Sequence, residues 1–424
     1  MLKYTFLLVL CLGFGSIWAQ DTTVQQVETT QDSLKKALLI KHLGNGYFPT
    51  KYFNFDLRYV FKFNQYEGIR TGIGGVTNNR LSKIFKINGY TVFGFRDSKL
   101  KYSIGGSLRL SETSKTWLSA TYTDDLQETG STKFITDKRL FQFFEPRLLN
   151  ISMFHRHITK STALDFQLSN HLISGTEFAI SNIDPTYNYS FITDNKTFHS
   201  FHTAIAKFAL QWSPFSTFEN TENGTSVETK NGYPKFTIQY SKNFKNAFKS
   251  EFNFSKIDFR TIYRFAQNKE RYSEAVLVGG YANGNVPLTH LYHAYPNNIN
   301  KATVLRRFSV AGNNSFETMF FNEFFSDRFF TFQFKQYVKP FEISERFKPQ
   351  IVLTTRYALG NMSNIQRHQG VTFNTLNKGY TESGIEINKL LFGFGLSFTY
   401  RYGAYHLPKT DDNIALKFTF NVTL

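Results

Sequence analysis

Whatever chemistry this chain performs would have to come from a few histidines, or from two carboxylates set among phenylalanines. His155 and His157 are two apart, which puts both rings on one side of a strand. His199/His202 and His290/His293 are three apart, the separation of a helical turn. No carboxylate cluster or third ligand accompanies any pair, so they read as loop or interface residues and no metal site is expected. Ser161 near His157 is the nearest thing to a hydrolytic pair, and one Ser with one His is a sparse signal. Gly72-Ile73-Gly74-Gly75 and Gly279-Gly280 open no helix. They read as small residues where another backbone or lumen content comes close, not as phosphate loops.

Glu323 and Asp327 stand in the aromatic stretch 320–330, and carboxylates flanked by Phe need partners because an unpaired buried charge is expensive. The expectation is that a long loop folds inward and pairs them with Arg58, Arg70, Arg356 or Arg401, with Arg306 of the loop in the same candidate network. The alternative is that 316–325 forms another strand and Asp327 a solvent-exposed turn.

The elements that must position these residues are strands. Along 392–402, Phe392, Phe394, Leu396, Phe398, Tyr400 and Tyr402 alternate with Gly393, Gly395, Ser397, Thr399 and Arg401. Along 414–424, Ile414, Leu416, Phe418, Phe420, Val422 and Leu424 alternate with Ala415, Lys417, Thr419, Asn421 and Thr423. Successive strand side chains point to opposite faces, so each segment has one apolar and one small or polar face. Further strands are predicted at 52–64, 69–79, 83–95, 98–110, 116–124, 162–172, 176–192, 199–213, 233–243, 248–265, 272–283, 329–338, 349–359 and 380–388. In 248–265 the apolar parity changes between Phe254 and Ile257, which predicts a bulge near Lys256. The total is about sixteen strands, and this pattern is the signature of an all-β fold, a transmembrane antiparallel β-barrel closed by pairing of its first and last strands.

An even count leaves both ends on the periplasmic side. It predicts a longest outer loop over 284–327, others at 125–161 and 360–378, and an unusually long periplasmic connection at 214–232. Sixteen strands enclose an aqueous lumen that a loop or partner must fill unless the protein is a channel.

The chain has 424 residues, with Phe 48, Tyr 23, Cys 1 and a formal charge of +17. No apolar run after the N-terminus is long enough for a membrane-spanning helix. Lys and Arg are scattered one or two per strand and form no basic helix, so nucleic acid is not an expected partner. They read instead as lumen residues and contacts to anionic lipid head groups. Lys3, the apolar stretch 6–18 and Ala19-Gln20 read as a secretory signal peptide over 1–19. Cys11 falls inside it, which leaves the mature chain without a thiol. Residues 20–50 are expected to be a short segment, partly disordered, with an amphipathic helix over 34–43 that is a periplasmic stub, a plug or a mobile tail. The barrel takes 51–424.

Asn64-Gln65-Tyr66-Glu67-Gly68-Ile69-Arg70 with Gly72-Ile73-Gly74-Gly75-Val76-Thr77, Gly89-Tyr90, Phe93-Gly94-Phe95-Arg96-Asp97 and Lys101-Tyr102 resemble the barrel opening of a Bacteroidota outer-membrane family, domain-of-unknown-function family 5686. Gly284-Asn285-Val286-Pro287, Ser315-Phe316-Glu317-Thr318-Met319 and Glu323-Phe324-Phe325-Ser326-Asp327-Arg328 resemble its second conserved region. That family usually carries a carboxypeptidase-regulatory-like domain ahead of the barrel. This sequence shows none and is about half the usual length. More distantly, a long loop before the twelfth of sixteen strands is similar to the BamA/TamA surface-antigen superfamily, whose members insert or translocate outer-membrane proteins. Its loop carries an Arg-Gly pair where this chain has Glu317-Thr318, and its periplasmic repeats have no room before Tyr52.

The resemblance implies a bacterial outer-membrane barrel without catalysis or cofactor. It would take part in protein or lipid handling, with outer-membrane lipid and other outer-membrane or periplasmic proteins as partners. The basic inward residues suggest a second class, a passive anion-favouring channel, and Ser161 with His157 a third, an outer-membrane hydrolase.

Overall fold

The computed structural model describes residues 46–137, 147, 150–220, 226–266, 268, 270–344, 347–391 and 393–420. The expected signal peptide and the 34–43 helix lie outside them. No helix among the described residues is long and apolar enough to cross a membrane. The architecture is one large antiparallel sheet in which each long strand pairs with its neighbours in sequence, from Gly68–Thr77 through to Ile414–Phe420.

Side-chain alternation decides which face is which. In the strand Phe394–Tyr402, Phe394, Leu396, Phe398 and Tyr402 are exposed while Gly395, Ser397, Thr399 and Arg401 are buried. The same holds in Ile414–Phe420, where Phe418 and Phe420 are exposed and Ala415, Lys417 and Thr419 are buried. Large apolar side chains therefore point away from the protein and small or charged ones into it, the inverse of a water-soluble sheet.

The sheet contains nineteen strands, against the expected sixteen. The first expected strand is broken into Phe53–Asp56 and Phe61–Asn64 by a 3-10 turn at Leu57–Tyr59, where Arg58 folds back on Asp56 with Nη2 to Oδ2 at 2.8 Å. Both pieces still pair with Gly68–Thr77. Two short stretches, Tyr47–Pro49 and Ser309–Val310, add to the sheet.

Among the described residues, the expected pairing of first and last strands is not formed. The free edge of Ile414–Phe420 is instead taken by Ser309–Val310, parallel, with Ser309 opposite Lys417 and Val310 opposite Phe418. Ala311 N donates to the Phe418 carbonyl at 2.7 Å, and the Phe308 ring packs edge-on against Phe418 at 4.4 Å. A loop segment thus sits where a strand was predicted.

The bulge near Lys256 is absent as well. Phe254–Ala266 keeps register with both neighbours through Lys256, opposite Ser241 and Ala282. The parity change has another cause: Phe252 and Phe254 are fully buried on the inner side, while Ile257 and Phe259 are exposed on the outer. Both sides of this strand carry aromatics because its inner side is packed.

The expected loop 125–161 is shorter, since Thr116–Glu128 and Phe154–Ser169 extend into it. The connection 214–232 contains a hairpin of Thr217–Asn220 with Ser226–Lys230. The segment 285–327 crosses the polar side of the sheet and contributes a large share of the buried apolar cluster, including Leu288, Leu291, Tyr292, Phe316, Met319, Phe324 and Phe325.

Candidate functional site

The site is where the segment 285–327 docks on the inward polar side chains. Its centre is built from four strands. Arg356 comes from Gln350–Asn361, Glu382 and Glu386 from Tyr380–Leu391, Arg401 from Phe394–Tyr402, and Lys417 from Ile414–Phe420. Strand pairing sets them side by side, with Arg356 opposite Glu382 and Glu382 opposite Arg401.

Glu382 is fully buried, yet all its acceptor capacity is used. It accepts from the backbone N–H of Glu317 and Thr318 at 2.8 and 2.9 Å, from Thr318 Oγ1 at 2.5 Å, and from Arg356 Nη1 at 3.0 Å. Glu317, 1% exposed, accepts from Ser315 Oγ at 2.7 Å, Asn297 Nδ2 at 2.8 Å and the Gly312 N–H at 3.1 Å, and lies 3.2 Å from Lys417 Nζ. Lys417 also donates to the Asn297 carbonyl. Desolvation alone would push the Glu317 carboxyl up, but Lys417 and Arg356 outweigh it and hold it below the usual carboxylate range. Buried charges of this kind persist only when each is paired and its remaining hydrogen-bonding capacity is met.

The segment Phe316–Phe320 that carries these contacts is a short strand, parallel to Pro296–Asn298 within the same loop. It is neither a strand of the large sheet nor a free turn. Phe316 packs edge-on against Tyr380, whose hydroxyl meets Thr318 Oγ1 at 2.7 Å. A second contact lies further along, where Arg401 donates to Glu323 through Nη2 at 2.7 Å and Nη1 at 3.1 Å while stacking 4.7 Å over the Tyr380 ring.

The beginning of the segment reaches other strands. Tyr292 donates to Asp258 at 2.6 Å, and its ring lies so close over Gly280 that an added Cβ there would come within 2.5 Å of it. That contact explains Gly280, while at Gly279 it is the Phe259 ring that leaves no room for a Cβ. His293 Nε2 meets Glu128 Oε1 at 2.7 Å, and Glu128 also accepts from Arg147. One segment of the chain therefore touches strand ends near 128 and strands beyond 350, which are far apart in the pairing order.

The candidates from sequence are only partly gathered here. Arg356, Arg401 and Glu323 belong to the docked site. Arg58 pairs locally with Asp56, and Arg70 with Asp125 at 2.7 Å and Glu67. Arg306 is exposed, and its neighbour Arg307 is the buried one, donating to Asp412 at 2.7 Å. Asp327 reaches none of the four inward arginines proposed for it. It lies 3.4 Å from Arg328 and accepts from the Ser363 N–H at 2.7 Å, because it sits at the strand rim where the loop ends.

Glu317, Glu382, Glu386 and Lys417 were missed. Glu382, Glu386 and Lys417 stood at inward positions of predicted strands, with Glu382 and Glu386 four apart on one face, whereas Glu317 lay in the predicted loop, and spacing alone does not say which loop residue covers the strand charges.

His155 and His157 stand on a strand and not in a loop, both on its inward side. Ser161 bonds Thr121 Oγ1 at 2.7 Å and His157 bonds Thr159 Oγ1 at 2.8 Å, so the two are not brought together. His202 faces Glu251 at 3.3 Å, and His199 meets the Tyr189 carbonyl at 3.4 Å. His290 is half-buried and held down to about 3 by desolvation and the Lys256 and Lys207 charges. Among the described residues, no group of three or more His, Cys, Asp or Glu side chains could hold a metal ion.

Comparison with known proteins fits this geometry. Residues 45–339 match the C-terminal domain of a family of unknown function, DUF5686. No curated protein matches the chain significantly. Among solved structures, it is similar to BamA of Haemophilus ducreyi lacking POTRA domains 1–3, with a TM-score of 0.51 and 9% identity over 94% of this chain and 79% of that one. It also matches CdiB of Escherichia coli, with a TM-score of 0.46 and 9% identity over 84% of this chain and 60% of that one. CdiB of Acinetobacter baumannii gives 0.39 and 12% over 84% and 57%. The first of these shows the fold, that of an outer-membrane β-barrel protein.

Proposed function

This chain belongs to the DUF5686 family of unknown function, and we propose that it is an outer-membrane barrel of about sixteen strand positions whose lumen is closed by residues 285–327. In this reading it performs no catalysis and takes part in outer-membrane protein or lipid handling within a complex.

One observation carries the proposal. The polar side of the sheet is bridged by a segment whose buried acids and bases pair with strands far apart in the pairing order. A passive channel needs that space wet. Here Arg356, Lys417 and Arg401 are each about 1% exposed, and their charges are met by protein groups. The edge of Ile414–Phe420, held among the described residues by two residues of a loop, supports the handling role, because a strand edge without a full partner is a template for another chain.

The test is single-channel recording in planar bilayers. The proposal expects no steady conductance from the intact chain, and large anion-selective openings once 286–326 is replaced by a short linker. Steady anion-selective openings of the intact chain would instead make it a porin. A mild-detergent pull-down would identify the complex. Lipid or peptide turnover abolished by His157→Ala or Ser161→Ala would replace the reading with a hydrolase.

A further inference from the structure

A small cavity opens at the rim where Tyr272–Gly284 ends and Arg328–Tyr337 begins, and the bases around it are not used up by acids. Its volume is about 80 Å³, and Arg328, Arg367, Asn283, Ser363, Asn364 and Asp327 line it. Asp327 is the acid present. One of its oxygens lies 3.4 Å from Arg328 Nη1 and the other accepts the Ser363 N–H at 2.7 Å. Arg328 Nη1 also donates to Ser363 Oγ at 3.0 Å, and Arg367 Nη1 donates to Asn285 Oδ1 at 2.9 Å. Each guanidinium carries five N–H groups in a fork that suits a tetrahedral oxyanion, and these bonds engage only the Nη1 ends. Two arginines against one carboxylate leave the cavity with a net positive charge. His368 adds none near neutrality, since burial and then Arg367 hold it down to about 4.

The surroundings say which kind of oxyanion. Arg328, its side chain 47% exposed, occupies the same face as Phe330, Phe332 and Phe334, the face turned away from the buried polar groups. Its paired neighbour Tyr281 is 49% exposed, and Leu359 on the next strand is 42% exposed. The basic cavity is therefore the head of a continuous apolar wall. A free phosphate has no use for that wall, whereas a lipid uses both.

We propose that Arg328 and Arg367 form a binding site for the phosphate head group of an outer-leaflet lipid, whose acyl chains lie on the Tyr281, Phe330 and Leu359 surface. The site rests on the rim being at the membrane surface and does not depend on the handling role proposed above.

The intact chain in detergent is equilibrated with phosphatidic acid or with phosphatidylcholine of the same acyl chains, and retained lipid is counted by native mass spectrometry. Phosphatidic acid is expected to be retained preferentially. Arg328→Gln with Arg367→Gln should lower its retention by about tenfold or more, the loss of two charge-assisted contacts. Lys348→Gln, at the opposite end of the strands, should leave it unchanged. Equal retention by the double variant and the intact chain would overturn the site, as would displacement of the lipid by an equal concentration of inorganic phosphate. Heat-modifiable migration on gels separates the two failures. A chain that keeps it but shows no phosphate preference refutes only the lipid site, and a chain that lacks it refutes the membrane barrel.

Discussion

Two regions of the sheet treat their inward faces differently. In the strands from Lys99–Ser111 to Phe154–Ser169, the inner face is a ladder of hydroxyls: Ser103 with Thr123 at 2.8 Å, Ser107 with Ser119 at 3.0 Å, Thr121 with Ser161 at 2.7 Å. These residues are half-buried, and the charged pairs gather toward the strand ends, as with Arg70 and Asp125. In the strands from Gln350–Asn361 to Ile414–Phe420, the same face carries Arg356, Glu382, Glu386, Arg401 and Lys417, all buried. Short hydroxyls suit a surface that keeps access to water. Full charges out of water survive only where a partner is delivered to each, and the docked loop delivers Glu317, Glu323 and two backbone amides. The hydroxyl ladder is finished by its own strands, the row of buried charges by a distant segment.

The largest effect should come from Glu382, which holds the loop backbone and Arg356 together. Glu382→Ala should cost about 3–5 kcal/mol, the range for removing one partner of a buried pair, read as a lower denaturant midpoint with protease cleavage within 285–327. A loss confined to the background of surface substitutions would mean the charges are not buried as described.

Next is the Arg401 contact. Glu323→Gln should cost about 1–3 kcal/mol and expose the loop near Asn322 to protease. Combining Glu323→Arg with Arg401→Glu should recover part of what either reversal loses alone. No recovery would separate the two residues.

A smaller, pH-dependent loosening should appear around His368, whose Nδ1 meets the Tyr189 hydroxyl at 2.9 Å beside Phe191 and Phe373. The folded chain favours the neutral ring, so this contribution is complete above the ordinary value of 6.5 and is lost as pH falls from 6.5 toward about 4. Hydrogen exchange of residues 366–373 should rise across that interval, and His368→Gln should flatten the rise.

The smallest effects belong to the strands of the hydroxyl ladder. Ser107→Ala should cost under about 1 kcal/mol. Arg109→Gln, whose partner Glu112 is exposed, should change stability by less than about 0.5 kcal/mol. Neither should alter loop protection. If either did, the two regions would not be independent.

The strands were legible because lipid and lumen impose a period of two on every one of them, and Phe394–Tyr402 shows it residue by residue. Legibility failed where a third layer intervened. Phe252 and Phe254 looked like a slipped lipid face because nothing local says that Phe191, Phe198 and Phe201 pack on the first and His290 of the loop on the second. The break at Leu57–Tyr59 was hidden because Asp56 and Arg58 fit the alternation of a strand while bonding each other across a turn. Glu323 announced itself by standing among phenylalanines. Glu317 did not, since its partner Lys417 lies a hundred residues away in sequence, and only the folded loop brings them together.

The most direct test of the docked loop is a cysteine cross-link, which is clean because Cys11 is the one native cysteine. In a Cys11→Ser background, Val310→Cys with Phe418→Cys places the two thiols on directly paired residues, and oxidation in isolated outer membranes should join them efficiently. A chain in which that pair stays reduced while Phe55→Cys with Phe418→Cys cross-links readily would have its first strand on the last, and the loop would not hold the place assigned to it.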